Sequence, residues 1–279
     1  MAKKVTKKVQ REHDIPDVIA NIRDMGDFEP NIVALIYGKA GRGKTEISST
    51  FPTPILLLNI AQEEGLKTIR DKPGIQIADV NSWDDFLDLE EWLREGQDFK
   101  TIVLDQITSL QSLGQQMIAA KRRKDVDVLF GMWGKAWGEL SGEIKTGLQS
   151  YRELRSHYNI VLLGHERTFG QDENADESDL APVVGANTMP SVGSFIEGAS
   201  DVIMQCFIRA TTVRDEKGKK IRKMQYCGRV GPHPNYITKI RRPVDAGPIP
   251  EYIVNPSYQK IIAIENGDEV INKKVKRRE

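Results

Sequence analysis

Cysteine is nearly absent from this chain: Cys206 and Cys227 are the only two in 279 residues. That is too few for a disulfide scaffold, and their spacing is not that of a metal pair. Both are expected as small buried residues on strands. Histidine is also sparse, with His13, His157, His165 and His233 scattered along the chain, which argues against a zinc centre. Long apolar runs are missing. Nothing approaches the roughly 18 residues of a membrane helix, and the start Met1-Ala2-Lys3-Lys4 leads into polar sequence, not an apolar signal core. The expectation is a non-secreted, cytoplasmic protein with no membrane partner. Neither sign of charge dominates, since 40 Lys and Arg balance 40 Asp and Glu.

With 39% hydrophobic and 29% charged residues, the length suits one substantial domain with extensions, or two small ones. The charges are segregated. Basic groups gather at Lys3 to Lys8, at Lys121-Arg122-Arg123-Lys124, from Arg214 to Lys223, at Lys239 to Arg242 and from Lys273 to Arg278. Acidic groups concentrate between Glu63 and Asp98 and from Asp172 to Asp179. A neutral molecule can thus carry a positive face, although any one run also reads as a solvated tail or loop.

The most specific signal is the octet Gly38, Lys39, Ala40, Gly41, Arg42, Gly43, Lys44, Thr45, which fits G-x-x-x-x-G-K-[ST]. It follows the β-branched run Asn31 to Tyr37 and precedes a helix-like turn at Glu46 to Ser49, the strand–loop–helix context a phosphate loop requires. The glycines let backbone N–H groups curl around phosphates. Lys44 would reach the β- and γ-phosphates of a nucleoside triphosphate, and the Thr45 hydroxyl would ligate Mg²⁺.

Four segments follow from the pattern: a basic arm over 1–30, an ATP-binding core over 31–212, a β-rich extension over 213–265 and a basic tail over 266–279. Within the core, strands are expected at Ile55 to Leu58, Ile75 to Val80, Thr101 to Asp105 and Ile160 to Gly164. Ser82 caps a helix with Asp85 three residues on, and Phe86, Leu89 and Leu93 share one face. Ile107 to Arg155 is helix-rich with an interruption around Lys121 to Trp137. Apolar strands alternating with helices predict an α/β fold with a mostly parallel sheet covered on both faces. After Asp201, strands without intervening helices predict antiparallel additions at the edge.

A phosphate loop needs a carboxylate for the metal, and Asp105 at the end of an apolar strand fits. The next residue is Gln106, so a water-activating base must come from elsewhere. Glu63 and Glu64, after the second strand, are the candidates, and the residues do not choose between them.

This order of phosphate loop, glutamate, strand-end Asp without a following Glu, and polar residues His165 and Glu166 after the fourth strand resembles the RecA-like P-loop ATPases. The resemblance is to short phage-encoded nucleotide-binding proteins, among them single-strand-annealing recombination proteins, and covers about Asn31 to Arg242. It implies a RecA-like fold, hydrolysis of Mg²⁺-ATP, action on single-stranded DNA, a homo-oligomer, and a single-stranded-DNA-binding protein as a further partner, all in the host cytoplasm. It implies that His165 senses the γ-phosphate. It also implies basic fingers entering a neighbour's site, for which Lys239 and Arg241, two apart on a strand-like segment, are the candidates. The corresponding DNA loops are about Ala119 to Trp137 and Phe169 to Met189. In the first, Lys121 to Lys124 suit phosphates and Phe130, Trp133 and Trp137 suit stacking on bases, while Trp133 and Trp137, four apart, equally suit a helix face packed into the core or a neighbour. The acidic second loop would repel DNA.

Two other readings stay open: an ATP-gated assembly or loader protein with slow hydrolysis, and a small-molecule kinase. The kinase would need an arginine-rich lid, and Gly164 to Gly170 offers only Arg167. A GTPase is disfavoured, because Thr238-Lys239-Ile240-Arg241 lacks the aspartate of a guanine-reading motif.

Overall fold

The computed structural model describes residues 31–61, 64–131, 134–170, 182–214 and 219–268. The expectations for the basic arm, Glu63, Trp133, the acidic run Asp172 to Asp179 and the end of the basic tail fall outside those residues.

Strand β1 (Val33–Gly38) runs into the phosphate loop and short helix α1 (Lys44–Ser48). There follow β2 (Ile55–Ile60), β3 (Ile75–Val80), α2 (Trp83–Arg94) and β4 (Thr101–Asp105). The helical region divides into α3 (Leu110–Arg122), α4 (Val126–Phe130) and α5 (Lys135–Glu153), with its breaks inside the expected interruption. Strand β5 (Asn159–Gly164) is followed by a separate two-stranded sheet, β6 (Glu166–Phe169) with β7 (Val183–Ala186), then α6 (Pro190–Ala199). The chain continues with β8 (Val202–Arg214), β9 (Lys220–Arg229), β10 (Lys239–Ile240), β11 (Tyr252–Val254) and α7 (Tyr258–Glu265).

The main sheet runs β11-β9-β8-β1-β5-β4-β2-β3, with β10 also on β8. From β8 to β3 all neighbours are parallel, whereas β9, β10 and β11 are antiparallel additions. Strand β8 therefore belongs to both parts. Helix α6 precedes it and makes the crossover that parallel pairing needs, so the antiparallel region starts at β9 and not directly after Asp201. The helix is weakly coded, with two glycines in ten residues, and Pro190 in its first turn marks its start.

Period-two alternation on β1 explains its unbroken apolar sequence. Val33, Leu35 and Tyr37 enter the core beneath α2, α3, α5 and α6, while Ala34 and Ile36 enter the opposite core with Ile47 of α1 and Ile261 and Ile264 of α7. Helix α2 begins at the expected capping box: Ser82 Oγ accepts from Asp85 N at 3.0 Å, and Asp85 Oδ2 accepts from Ser82 N at 3.0 Å. The Asn81 N–H leads the donors that hold the Asp85 carboxyl below its ordinary range. Phe86 and Leu93 are fully buried, each contributing about 1.5–3 kcal/mol, and Leu89 packs beside them.

Trp137 takes the packing alternative, and Phe130 packs as well, contrary to the stacking role expected of it. Their rings meet edge to face at 5.3 Å on the core, so neither is a free platform for bases. Both cysteines are buried thiols on β8 and β9, and burial pushes the Cys206 pKa up to about 12.

Candidate nucleotide site

The loop after β1 has the backbone that its glycines permit. Gly41 and Gly43 sit at φ 70° and 84°, where a side chain is strained. Gly38 is required for a different reason: β8 runs so close that a Cβ would stand 2.6 Å from the Cys206 carbonyl oxygen. Lys44 Nζ lies in the loop's own mouth, donating to the Gly38 and Lys39 carbonyls at 3.1 and 3.3 Å.

Asp105 reaches the loop from the other side of β5. Strand β4 is two places from β1, and its terminal carboxylate accepts a hydrogen bond from the Thr45 hydroxyl at 3.0 Å. Two residues 60 positions apart are thus in direct contact. Asp105 is 5% exposed, and Gln106, joined to it by a cis peptide bond, is buried as well. An alcohol and a carboxylate side by side form an all-oxygen donor pair suited to Mg²⁺, whose remaining positions phosphate and water would fill.

The second strand contributes by position. Glu64 opens a 3₁₀ turn, Glu64–Ile69, and a Cβ on its next residue, Gly65, would stand 3.4 Å from the Thr45 hydroxyl. The backbone carrying this candidate base is therefore beside the Thr45 hydroxyl.

His165 follows β5 as expected, its N–H donating to Thr108 Oγ1 at 3.3 Å, but its neighbour reaches the loop. The Glu166 carboxylate lies 3.8 Å from Lys39 Nζ and accepts from Gln205 Nε2 at 3.1 Å. Gln205 Oε1 in turn accepts from Arg229 at 2.8 Å, and that guanidinium lies over the rings of Phe207 and Tyr236. A polar chain thus links the phosphate loop to β8 and β9. The sequence reading did not find Gln205 or Arg229; a lone buried polar residue within Val202 to Ile208 was the available signal.

Lys239 and Arg241 are not brought to the loop of their own chain. Strand β10 pairs with Val202 and Ile203, at the end of β8 beside the start of β1, opposite the phosphate loop. Lys239 Nζ donates to the Glu197 carbonyl at 2.7 Å, and Arg241 donates to Asp201 Oδ1 at 3.0 Å and to the Gly198 carbonyl at 2.7 Å. Burial, followed by the nearby Arg241 charge, lowers the Lys239 pKa. The structure gives both side chains partners at home.

A cavity of about 560 Å³ adjoins the loop, bounded by Gly43, Thr45 and Thr50 on one side and by Tyr226, Asn255 and Pro256 on the other. The last three come from β9 and the end of β11, and none was singled out in the sequence.

A mostly parallel sheet, a glycine loop after β1, a carboxylate ending β4 and an intervening β5 together define a RecA-like P-loop nucleotide-binding ATPase fold. The AAA domain family (AAA_24) matches residues 30–242, and the chain belongs to that family. No curated protein matches it. Among solved structures it is similar to the flagellar accessory protein FlaH of Methanocaldococcus jannaschii, at 11% identity over 81% of this chain and 85% of that one, with a TM-score of 0.37. Among the described residues, no helix is long and apolar enough to cross a membrane.

Proposed function

We propose that this P-loop protein binds and hydrolyses Mg²⁺-ATP and couples hydrolysis to single-stranded DNA in recombination or annealing, as a homo-oligomer. The observation that carries the ATP half is the Thr45–Asp105 contact at 3.0 Å beside Lys44. Lys44 holds its charge at the loop carbonyls, where it can exchange those acceptors for phosphate oxygens as nucleotide enters. When bound, Mg²⁺ would supply charge neutralisation at the phosphates, with Thr45 and Asp105 holding it. Glu63 or Glu64 would orient the attacking water, and His165 would monitor the γ-phosphate end of β5.

The DNA half is supported by charge at the surface. Lys121, Arg122, Arg123 and Lys124 are all exposed at the end of α3, with Arg122 paired to Glu139, and cations there can displace counterions from a phosphate backbone. Completion of the site by a second protomer, and a single-stranded-DNA-binding protein as partner, rest on the RecA-like pattern of the residues. For Lys239 and Arg241 to enter a neighbour's site, they would have to leave their present partners.

Gln106 favours a second reading, an ATP-gated assembly protein with slow turnover, because the residue after Asp105 carries no carboxylate. ATP turnover with and without single-stranded DNA, for wild type and Lys44→Ala, separates the two. DNA-stimulated hydrolysis lost in the variant supports the first reading. Binding of ATP with nucleotide-dependent assembly and negligible turnover supports the second. Absence of DNA binding at low salt in every nucleotide state overturns the DNA role.

A further inference from the structure

We infer that the cavity beside the phosphate loop is a purine-base site that selects adenine, with Tyr226 as its stacking platform and Asn255 as the reader of the base edge. This rests on the ATP reading above and adds to it the part of the ligand recognised and the residues responsible.

The Tyr226 ring is laid against the loop itself. A Cβ on Gly43 would stand 3.2 Å from its Cδ1 and 3.7 Å from its Cε1, so the ring packs directly beside the glycine. Tyr226 is nevertheless 48% exposed and lines the cavity. It stands on a strand whose earlier residues Lys220, Arg222 and Lys223 are charged and exposed. An aromatic ring kept half in solvent in a cavity that adjoins a phosphate-binding loop offers a surface on which a base can stack. Base–aromatic stacking is tolerant of base identity, so the platform alone would not discriminate.

Discrimination falls to Asn255. Its backbone is fully committed: φ is 47°, its N–H donates to the Tyr226 carbonyl at 2.8 Å, and its own carbonyl accepts from Lys260 at 2.9 Å. The first of these bonds locks Asn255 to the stacking residue. Asn255 lines the cavity and is exposed, so its amide is available to a ligand there. It presents one donor and one acceptor, the complement of adenine N7 and N6–H, whereas guanine offers acceptors at both N7 and O6. The wall is rigid, because Pro256 follows and Tyr258 anchors the segment to the loop helix. The Tyr258 N–H donates to Thr50 Oγ1 at 2.8 Å, and its ring packs on Phe51 at 4.9 Å.

The test is calorimetric binding, with Mg²⁺, of ATP, GTP and inorganic tripolyphosphate, which carries the phosphates without a base. Wild type is expected to prefer ATP over GTP. Tyr226→Ala should weaken both nucleotides by about 5- to 100-fold, the range for loss of one stacked base, and leave tripolyphosphate unchanged. Tyr226→Phe should restore ATP binding, and Asn255→Ala should bring ATP and GTP closer to equal affinity. Unchanged ATP affinity in Tyr226→Ala overturns the inference, as does equal weakening of ATP and tripolyphosphate, which would show a role in holding the loop. Wild type binding tripolyphosphate but not ATP more tightly also overturns it while leaving the phosphate loop intact. Wild type binding neither overturns the ATP reading and this one with it.

Discussion

The two ends of the β1–β8 pair use the same kinds of residue to opposite effect. At the start of β1, charges are matched: Asp201 accepts from the Val33 N–H at 3.0 Å, faces Arg155 at 3.1 Å and Arg241 at 3.0 Å, and is 7% exposed. At the far end, the cation Lys44 rests on carbonyls that a stronger acceptor can replace, in a loop whose glycines take positive φ. One end is satisfied within the fold and the other is prepared for an anion. Basic residues that look alike in sequence therefore divide into those that fasten the sheet and those that meet a ligand.

The sharpest way to break this comparison is at Lys44. Lys44→Ala is expected to lower ATP turnover by a factor on the order of 10²–10³ without altering the circular dichroism or the urea midpoint. Asp105→Asn should cost on the order of 10² in turnover and weaken the dependence on Mg²⁺, measured by titrating the metal at fixed ATP. At the opposite end the readout changes from rate to stability. Asp201→Ala strands two guanidinium groups and a backbone N–H, so a loss of about 2–4 kcal/mol is expected in urea unfolding, with turnover per folded molecule retained.

Arg241→Ala removes one side of that cluster, and about 1 kcal/mol is expected from the same measurement. Alone it should retain turnover per folded molecule, and mixing it with Lys44→Ala protomers should add none, whereas a finger residue would lose turnover alone and regain it in the mixture. Recovery in the mixture would instead place Arg241 in a neighbour's site. The smallest effect at neutral pH concerns Cys206. Its pKa is raised by burial from 9.0 to about 12, so the folded state retains a proton that the unfolded state releases. The contribution is present in full below about pH 9 and is lost as pH rises towards 12. Pulsed alkylation near pH 8 should modify Cys206 only in molecules that have unfolded.

The phosphate loop, Asp105 and the five parallel strands leading to them were legible because they rest on local rules: a spaced motif, apolar runs, and the capping box at Ser82. Those rules say which residues a segment needs for itself. Helix α6 was not legible, since its glycines conceal a helix that only packing of Val192 and Ile196 stabilises. Tyr226 and Asn255 were hidden for another reason. They are 29 residues apart and meet through the β9–β11 register, in which Tyr252 pairs with Arg229 and Val254 with Cys227. Pairing between distant strands leaves no periodic trace in either one. Lys239 and Arg241 show the converse: their spacing was visible, but their partners, a helix-end carbonyl and Asp201, depend on where α6 ends.

The length of β8 has a mechanical meaning. Its first residues, Val202 to Cys206, are buried in register with β1 up to Gly38, and the remainder continues with β9 as an exposed ribbon to Arg214. A beam clamped at one end delivers a load to its clamp, and here the clamp is the backbone packed against the first glycine of the phosphate loop. Force applied to the ribbon tip would be carried in shear by the β1–β8 ladder and would arrive at Gly38 without crossing a side chain.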